Sequence, residues 1–306
     1  MKQKHIRIGT RGSPLAIVQA NQVRKQLVQA NPELQMPELI TIKTTGDQIT
    51  NRLLADIGGK GLFTKEIEQA LMDDEIDIAV HSMKDVETKI PGDLVIDCFL
   101  KREDPRDALL GAKSINRLPK GARIGTSSIR RSAQLLSIRP DVQISLLRGN
   151  IDTRLKKLDA GKIDAMILAI AGLKRIGQED RIDAPLQPTE FLPAVSQGVI
   201  GIQRRLSDIN TANFLAPINH VPTSICVAAE RSMLEALDGS CRTPIGGLAI
   251  IERDNINLSG MLVWPDGSGL KSFAYVGKIH EPVLLGQIVG DELRKLAGPK
   301  FFEELM

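Results

Sequence analysis

The chain has 306 residues, enough for two or three domains, and 42% of them are hydrophobic, as in an ordinary globular protein. A net charge of +3 and a single Trp and Tyr exclude the basic, aromatic-rich surface that is typical of nucleic-acid-binding proteins. No apolar run is long enough for a membrane span, no leader peptide is evident, and the three scattered cysteines indicate neither disulfides nor a zinc site, so we expect a cytoplasmic protein without nucleic-acid, membrane or metal partners.

The first predicted elements are a strand and a helix joined by a polar turn. Residues 6–8 alternate as a strand, and apolar residues follow at helical spacing from Leu15 to Leu27. Ser13 is a natural N-cap before Pro14, and the unpaired N–H groups of such a helix start can bind an anion. The next predicted elements are a strand at 39–44, a loop at 46–61, a helix at 64–72 and a strand at 76–80.

Two features flank this last helix. The glycines at 58–61 have neither phosphate-loop nor dinucleotide-turn spacing, so they favour a mobile loop over a cleft. Asp85 follows the strand at 76–80 and is a candidate carboxylate for a cationic cleft, although an ion pair with Lys84 or a helix cap is the alternative. His81 would suit a hydrolase, but no G-x-S-x-G elbow is present.

Two short strings recur in the same order along the chain. Residues 123–126 repeat residues 7–10, and residues 162–165 echo residues 75–79. Coincidence is the alternative for either string alone. Together they predict an α/β fold with two similar lobes, each containing a mainly parallel sheet, and such lobes bind ligands in the cleft between them.

Arginines collect where predicted strands lead into helices. The segments are 126–131, with three hydroxyl groups and two arginines, 147–154, and 171–175, which ends a strand-like run. Guanidinium groups match carboxylates in a bidentate manner. A solvated surface is the usual explanation for any one arginine, but the set favours a ligand that carries several carboxylates.

The remaining chain predicts a small α+β domain. A helix at 224–237 leads to Cys241, short strands follow at 248–251, 255–258 and 261–264, and the tail at 283–306 is helical. Cys241 lies on a predicted loop beside Arg242, whose charge would favour the thiolate, whereas a spectator cysteine is the alternative. A solute-binding module would need neither this thiol nor this domain.

Several motifs in order resemble the porphobilinogen deaminase family, and the resemblance runs nearly from end to end. They occupy residues 9–16, 58–63, 80–85, 102–107, 125–131, 147–150, 168–175, 192–198 and the turn around Cys241.

The resemblance implies two lobes like those of periplasmic binding proteins, at residues 1–99 with 200–217 and at 100–199, and a C-terminal cofactor-attachment domain at 218–306. It implies a monomeric transferase that joins four porphobilinogen molecules head to tail and releases ammonia. The cofactor would be a covalent dipyrromethane, and the partners would be porphobilinogen and the growing polypyrrole chain.

The resemblance also implies a role for individual residues. Asp85 would be catalytic, and Cys241 would carry the cofactor through a thioether. The other cofactor-binding residues would be Lys84, Thr126, Ser127, Ser128, Arg130, Arg131, Arg148 and Arg154. Substrate would be bound by Arg11, Ser13, Arg148, Arg154 and Arg175, and the active-site loop residues would be Lys60, Phe63 and Gln197. The chain departs from the family pattern at Asp56, Ser196, Ser240 and Thr243, with serine at 196 and 240 where glycine is common.

Overall fold

The structure is a computed structural model and describes residues 5–48, 61, 63–239 and 243–305. Up to residue 103 the elements are β1 (Arg7–Arg11), α1 (Pro14–Ala30), β2 (Glu38–Ile42), α2 (Thr45–Gln48), α3 (Lys65–Met72), β3 (Ile78–Ser82) and β4 (Leu94–Phe99). Then come β5 (Asp107–Leu110), β6 (Arg123–Gly125), α4 (Ile129–Ile138), β7 (Gln143–Ser145), α5 (Ile151–Asp159), β8 (Ala165–Ala169), α6 (Ile170–Arg175) and β9 (Ala184–Pro185). The last elements are β10 (Ile200–Arg205), α7 (Ile209–Leu215), α8 (Val221–Ala236), β11 (Ile245–Glu252), β12 (Asn255–Leu262), β13 (Lys271–Lys278), α9 (Pro282–Ala297) and α10 (Pro299–Leu305).

The chain forms two units. The first comprises Met1–Glu103 with Val199–Ser224, and the second comprises Asp104–Gly198 with Ile225–Met306. The first unit contains a sheet of order β2-β1-β3-β10-β4. The second contains a sheet of order β7-β6-β8-β5-β9 and a three-stranded antiparallel sheet of order β11-β12-β13.

The two five-stranded sheets have the same topology. In each, three parallel strands are followed by a strand that is antiparallel to both of its neighbours, β10 in one sheet and β5 in the other. The recurring strings lie in, or just before, equivalent strands of the two sheets. In each sheet an arginine of the first string pairs with an aspartate of the second, and we call this ion pair a clamp. Arg7 Nη2 lies 2.8 Å from Asp77 Oδ1, and Arg123 Nη2 lies 2.8 Å from Asp164 Oδ1. The prediction of two similar α/β lobes is confirmed.

Buried aliphatic residues cover both faces of the first sheet. Ile8 and Ile202 are fully buried with Leu27 of α1, and Ala79 packs with Ile67 of α3. Burial on both faces explains why the central strands read as continuous apolar runs. None of the described helices is both long and apolar enough to cross a membrane.

Two predictions were wrong in detail, and one strand was missed. Residues 171–175 belong to α6, because β8 turns into a helix directly at Ala169 without a polar spacer. Residues 255–262 form one strand, and β13 was not predicted because most of its side chains are exposed. Gly260 lies inside this strand, where a Cβ would lie 2.5 Å from Met233 Sδ, so glycine permits the close approach of α8.

Two smaller differences concern the ends of elements. The predicted loop at 46–61 begins with the short helix α2, and residues 49–60 of that loop lie outside the described residues. The helical tail is interrupted at Gly298, which has a φ of 74° and separates α9 from α10. Glycine adopts such a positive φ without strain because it has no Cβ, so the chain can leave the helical path at this residue.

Candidate functional site

A small cavity lies where β1 and β3 end in the first unit. Its volume is about 60 Å³, and the residues that line it include Arg11, Ser13, Phe63, His81 and Asp85. Because β1 and β3 are parallel, their carboxyl ends meet at one edge of the sheet, where ligands bind in α/β proteins. The structure thus brings together residues that were predicted separately for substrate binding, the loop and catalysis.

Ser13 caps α1 as the sequence predicts. Its Oγ accepts a hydrogen bond from Ala16 N at 3.3 Å, and Pro14 occupies the first helical turn. A hydroxyl group that accepts one bond still has a proton to donate. Ser13 can therefore hold the helix start and also bind an anionic oxygen in the cavity.

Arg11 ends β1, and its guanidinium is held on two sides. Its Nη2 lies 2.5 Å from Asp47 Oδ1, and its Cζ lies 4.0 Å from the ring centroid of Phe63. Burial opposes the charge of Asp47, but hydrogen bonds from Arg11 and Thr44 outweigh it and lower the pKa of that carboxyl. A ligand carboxylate that binds Arg11 would therefore share the guanidinium with Asp47.

His81 is a neutral wall of the cavity. It is buried, and its Nε2 lies 2.9 Å from Gln203 Oε1, while Gln203 Nε2 donates to Glu68 Oε1 at 3.1 Å. Since the amide oxygen of Gln203 faces the imidazole, His81 Nε2 carries the proton. Burial lowers the pKa of His81 to about 4, so the ring is uncharged near neutral pH.

Asp85 lies on a short 3-10 turn, Met83–Asp85, that directly follows β3. The turn is anchored, because Met83 N donates to Val199 O at 3.0 Å and Val86 N donates to Met83 O at 3.2 Å. The Asp85 side chain is half-buried and lines the cavity, and Lys84 on the same turn is also half-buried. A rigid turn therefore places a carboxylate at the edge where substrate-binding candidates gather.

The second unit contains a buried group that we call the Asp107 cluster, formed by Asp107, Arg130, Arg131 and Gln197. Asp107 Oδ2 accepts from Arg130 Nη2 at 2.7 Å. Asp107 Oδ1 accepts from Arg131 Nη2 at 2.7 Å, from Arg131 Nε at 3.1 Å and from Gln197 Nε2 at 2.9 Å. The side chain of Asp107 is fully buried, and those of Arg130 and Arg131 are 5% and 8% exposed.

The charges of the Asp107 cluster do not cancel. Two guanidinium groups face one carboxylate, and among the described residues no other carboxylate pairs with them. Burial opposes the charge of Asp107, but Arg130 and Arg131 outweigh it and hold the pKa of that carboxyl well below its usual range. Burial also lowers the pKa of Arg130. The cluster thus has one positive charge in excess.

The predicted hydroxyl residues shape the loop before α4. Ser128 is the N-cap and accepts from Arg131 N at 3.4 Å, while Thr126 Oγ1 accepts from Ser128 N at 3.2 Å. Ser127 Oγ donates to Leu147 O. These bonds fix the loop that leads into α4, where Arg130 and Arg131 occupy the first turn.

The other predicted arginines of this unit lie before α5 (Arg148), in the first turn of α5 (Arg154) and at the end of α6 (Arg175). Arg154 Nε donates to Gly149 O at 2.8 Å, and Arg175 Nη2 donates to Gly198 O at 2.6 Å. Arg148 is half-buried just before the N-cap of α5. Gln197, expected among the active-site loop residues, lies on the turn before β10, and its side chain is fully buried against Asp107.

The turn that carries Gln197 is tied to α8. Ser196 N donates to Glu230 Oε2 at 2.6 Å, and Ala249 N donates to Glu230 Oε1 at 2.8 Å. Ser196 has a φ of 59°, and its buried hydroxyl has no hydrogen-bond partner among the described residues. The left-handed backbone explains why glycine suits this position better than serine.

Some predictions fall outside the described residues, namely those for Lys60 and Cys241. In the other direction, sequence reasoning assigned no role to Asp107, Asp47 or Gln203. Asp107 lies in the segment 102–107, whose resemblance to the family is the only signal in the sequence that could have pointed to it. Asp47 and Gln203 had none, because their partners are remote in sequence.

Comparison with known proteins gives a match over nearly the whole chain. The family model "Porphobilinogen deaminase, dipyromethane cofactor binding domain" matches residues 6–213, and "Porphobilinogen deaminase, C-terminal domain" matches residues 224–295. A porphobilinogen deaminase of Paracoccus denitrificans is 48% identical over 304 residues, covering 98% of this chain and 97% of the relative. One from Nitrobacter hamburgensis is 49% identical over 300 residues, covering 96% and 94%.

Solved structures give weaker likenesses. The GlnP substrate binding domain 2 of Lactococcus lactis has a TM-score of 0.42 at 12% identity, covering 77% of this chain and 91% of that chain. The periplasmic aliphatic sulphonate binding protein of Escherichia coli has a TM-score of 0.39 at 15% identity, covering 76% and 70%. Because both scores are below 0.5, the α/β fold class follows from the strand order described above and not from these matches.

Proposed function

The chain belongs to the porphobilinogen deaminase family, and we propose that it condenses four porphobilinogen molecules head to tail, with release of ammonia, into the linear tetrapyrrole hydroxymethylbilane. The observation that carries this proposal is the cavity in which Asp85, Arg11 and Ser13 meet. It combines a carboxylate with groups that bind carboxylates, as a substrate with an aminomethylpyrrole and two acidic side chains requires.

We assign charge stabilisation to Asp85. When ammonia leaves porphobilinogen, the C–N bond breaks with its electron pair on nitrogen, and positive charge spreads over the pyrrole ring. A half-buried carboxylate beside the ring N–H stabilises that charge as it develops. Arg11 and Ser13 would hold a substrate carboxylate and so orient the ring. Because His81 is neutral, it adds no opposing positive charge.

The dipyrromethane cofactor supplies, when bound, the pyrrole carbon at which the chain grows. The Asp107 cluster fits its acidic side chains, since it has an excess positive charge and a buried Arg130 Nε that no described residue satisfies. We assign the cofactor to Cys241, Lys84, Thr126, Ser127, Ser128, Arg130, Arg131, Arg148 and Arg154. We assign substrate carboxylates to Arg11, Ser13, Arg148, Arg154 and Arg175, and the active-site loop to Lys60, Phe63 and Gln197.

The covalent attachment is tested by intact mass. The purified protein should exceed its sequence mass by two porphobilinogen units less two ammonia molecules, and Cys241→Ala should remove this increment. Cys98→Ala and Cys226→Ala are the controls, because both thiols are buried and burial raises the pKa of Cys98 to about 12. An active wild-type enzyme with an unmodified mass would contradict the proposal.

We also propose three domains, at residues 1–99 with 200–217, at 100–199 and at 218–306. The first family match ends at residue 213 and the second begins at residue 224, which supports a boundary between residues 217 and 218. We propose a cytoplasmic monomer that binds porphobilinogen and the growing polypyrrole chain, as suits a biosynthetic enzyme with small substrates. Light scattering on the purified protein tests the monomer.

A further inference from the structure

The Asp107 cluster combines close hydrogen bonding with incomplete charge compensation. Asp107 accepts four hydrogen bonds from Arg130, Arg131 and Gln197, all between 2.7 and 3.1 Å. Each guanidinium has five N–H groups. Arg130 uses two of them, toward Leu192 O and Asp107, and Arg131 uses three, toward Ile167 O and Asp107. Both groups therefore retain donors while their orientation is fixed.

The same cluster would be unfavourable without its carboxylate. Two buried guanidinium groups in contact with one residue repel each other, and a buried charge without a partner is costly. Asp107 neutralises one of the two charges and leaves the other. One further carboxylate would complete the balance.

We infer that Asp107 is a positioning residue, which holds the guanidinium groups of Arg130 and Arg131 in a fixed orientation. Because Asp107 neutralises only one of the two positive charges, the remaining charge is available to bind a single cofactor carboxylate. This inference rests on the proposed function. Its basis is preorganisation, because the entropy of ordering two long side chains has been lost before the ligand arrives. Asp107 then lowers the concentration at which the apoprotein takes up its cofactor.

The test uses the full-length apoprotein made in a host that lacks porphobilinogen. The protein is incubated with increasing porphobilinogen, and intact mass gives the fraction that carries the adduct. Asp107→Asn keeps the shape but raises the net charge of the cluster to two. We expect half-maximal loading at a roughly tenfold to hundredfold higher porphobilinogen concentration than in the wild type.

The control is Asp164→Asn in the same unit. Asp164 pairs with Arg123 at 2.8 Å in a clamp of similar geometry that belongs to neither the cavity nor the Asp107 cluster. We expect its loading midpoint to stay within about twofold of the wild type. A purely structural Asp107 would lower the melting temperature without moving the loading midpoint, and that result would overturn the inference.

A second variant covers the case in which Asp107→Asn does not fold. Asp107→Glu keeps the charge balance and displaces the carboxylate by one methylene. We expect a folded protein whose loading midpoint rises by roughly threefold to tenfold, because position as well as charge has been altered. Wild-type loading in Asp107→Glu, or tighter loading in Asp107→Asn, would overturn the inference. If the wild type itself gains no adduct, the proposed function fails instead.

Discussion

The cavity of the first unit and the Asp107 cluster of the second both combine arginine with aspartate, yet they differ in burial. Asp85 is half-buried on a turn and borders an open space, whereas Asp107 is fully buried and accepts four hydrogen bonds. A carboxylate that must respond to charge on a passing substrate has to remain accessible. One that must hold other side chains in place can be enclosed completely.

The largest effect is expected at Asp85, the accessible carboxylate of this comparison. Asp85→Asn keeps the shape but removes the charge, so we expect kcat to fall by about a hundredfold to a thousandfold, with an unchanged melting temperature. Ammonia release in a single turnover of cofactor-loaded protein measures this, and Asp85→Glu should retain measurable activity. A destabilised but active Asp85→Asn enzyme would mean that Asp85 is an ion-pair or capping residue.

The next largest effect is expected at the arginines that bind carboxylates in the second unit, beginning with Arg131 of the Asp107 cluster. Arg131→Leu leaves Asp107 balanced by Arg130, so the fold should persist while the excess positive charge disappears. We expect affinity for a cofactor carboxylate to fall by about a hundredfold, measured as the porphobilinogen concentration needed for half-maximal adduct formation. Arg148→Leu and Arg154→Leu should also impair loading or substrate binding. Arg123→Leu, which breaks the ion pair with Asp164, is the control. Equal loading in all four variants would mean that Arg131, Arg148 and Arg154 bind no cofactor carboxylate.

Burial of the His81 imidazole in the first unit should make the stability of the protein depend on pH. Burial lowers its pKa from 6.5 to about 4, so the unfolded chain binds a proton in this interval that the folded chain does not. The free energy of unfolding should therefore decrease as pH falls through the interval, by at most about 3 kcal/mol. Denaturant titrations of His81→Gln should show a flatter profile. His5→Gln, at an exposed site, should keep the wild-type slope.

The smallest effect is expected at the turn beside the Asp107 cluster. Ser196→Gly removes both the left-handed strain and the buried hydroxyl without a partner, so we expect stabilisation by about 1 kcal/mol. Thermal unfolding measures it. Arg253→Gly is the matched variant, because Arg253 has a φ of 57° at an exposed site and should gain only from relief of strain. A destabilised Ser196→Gly would show that its hydroxyl is needed.

Local signals in the sequence predicted a large part of the molecule. Ser13 before Pro14 indicated the start of α1, and the repeated strings at 7–10 and 123–126 indicated two lobes of one design. These signals depend on residues that are close together in the chain. Strand β13 escaped because its side chains are mostly exposed and carry little apolar periodicity.

The candidate site was predicted less completely, for a related reason. Arg11, Ser13, Phe63 and Asp85 were all named beforehand, and they line one cavity. The partners of Asp107 lie 23, 24 and 90 residues away, so no local pattern reveals them. Reasoning by residue type recognised arginines suited to carboxylates but did not identify the internal carboxylate that holds two of them.

Strand β10 has a consequence for how the chain folds. It lies between β3 and β4, but it begins at Ile200, after every strand of the second five-stranded sheet has been made. During synthesis the second sheet can therefore form from a continuous segment, whereas the first must wait with two unjoined parts and exposed strand edges. Contacts of such long sequence separation form slowly. We expect the second sheet to gain amide-exchange protection first, and chaperones that shield strand edges to act on the first.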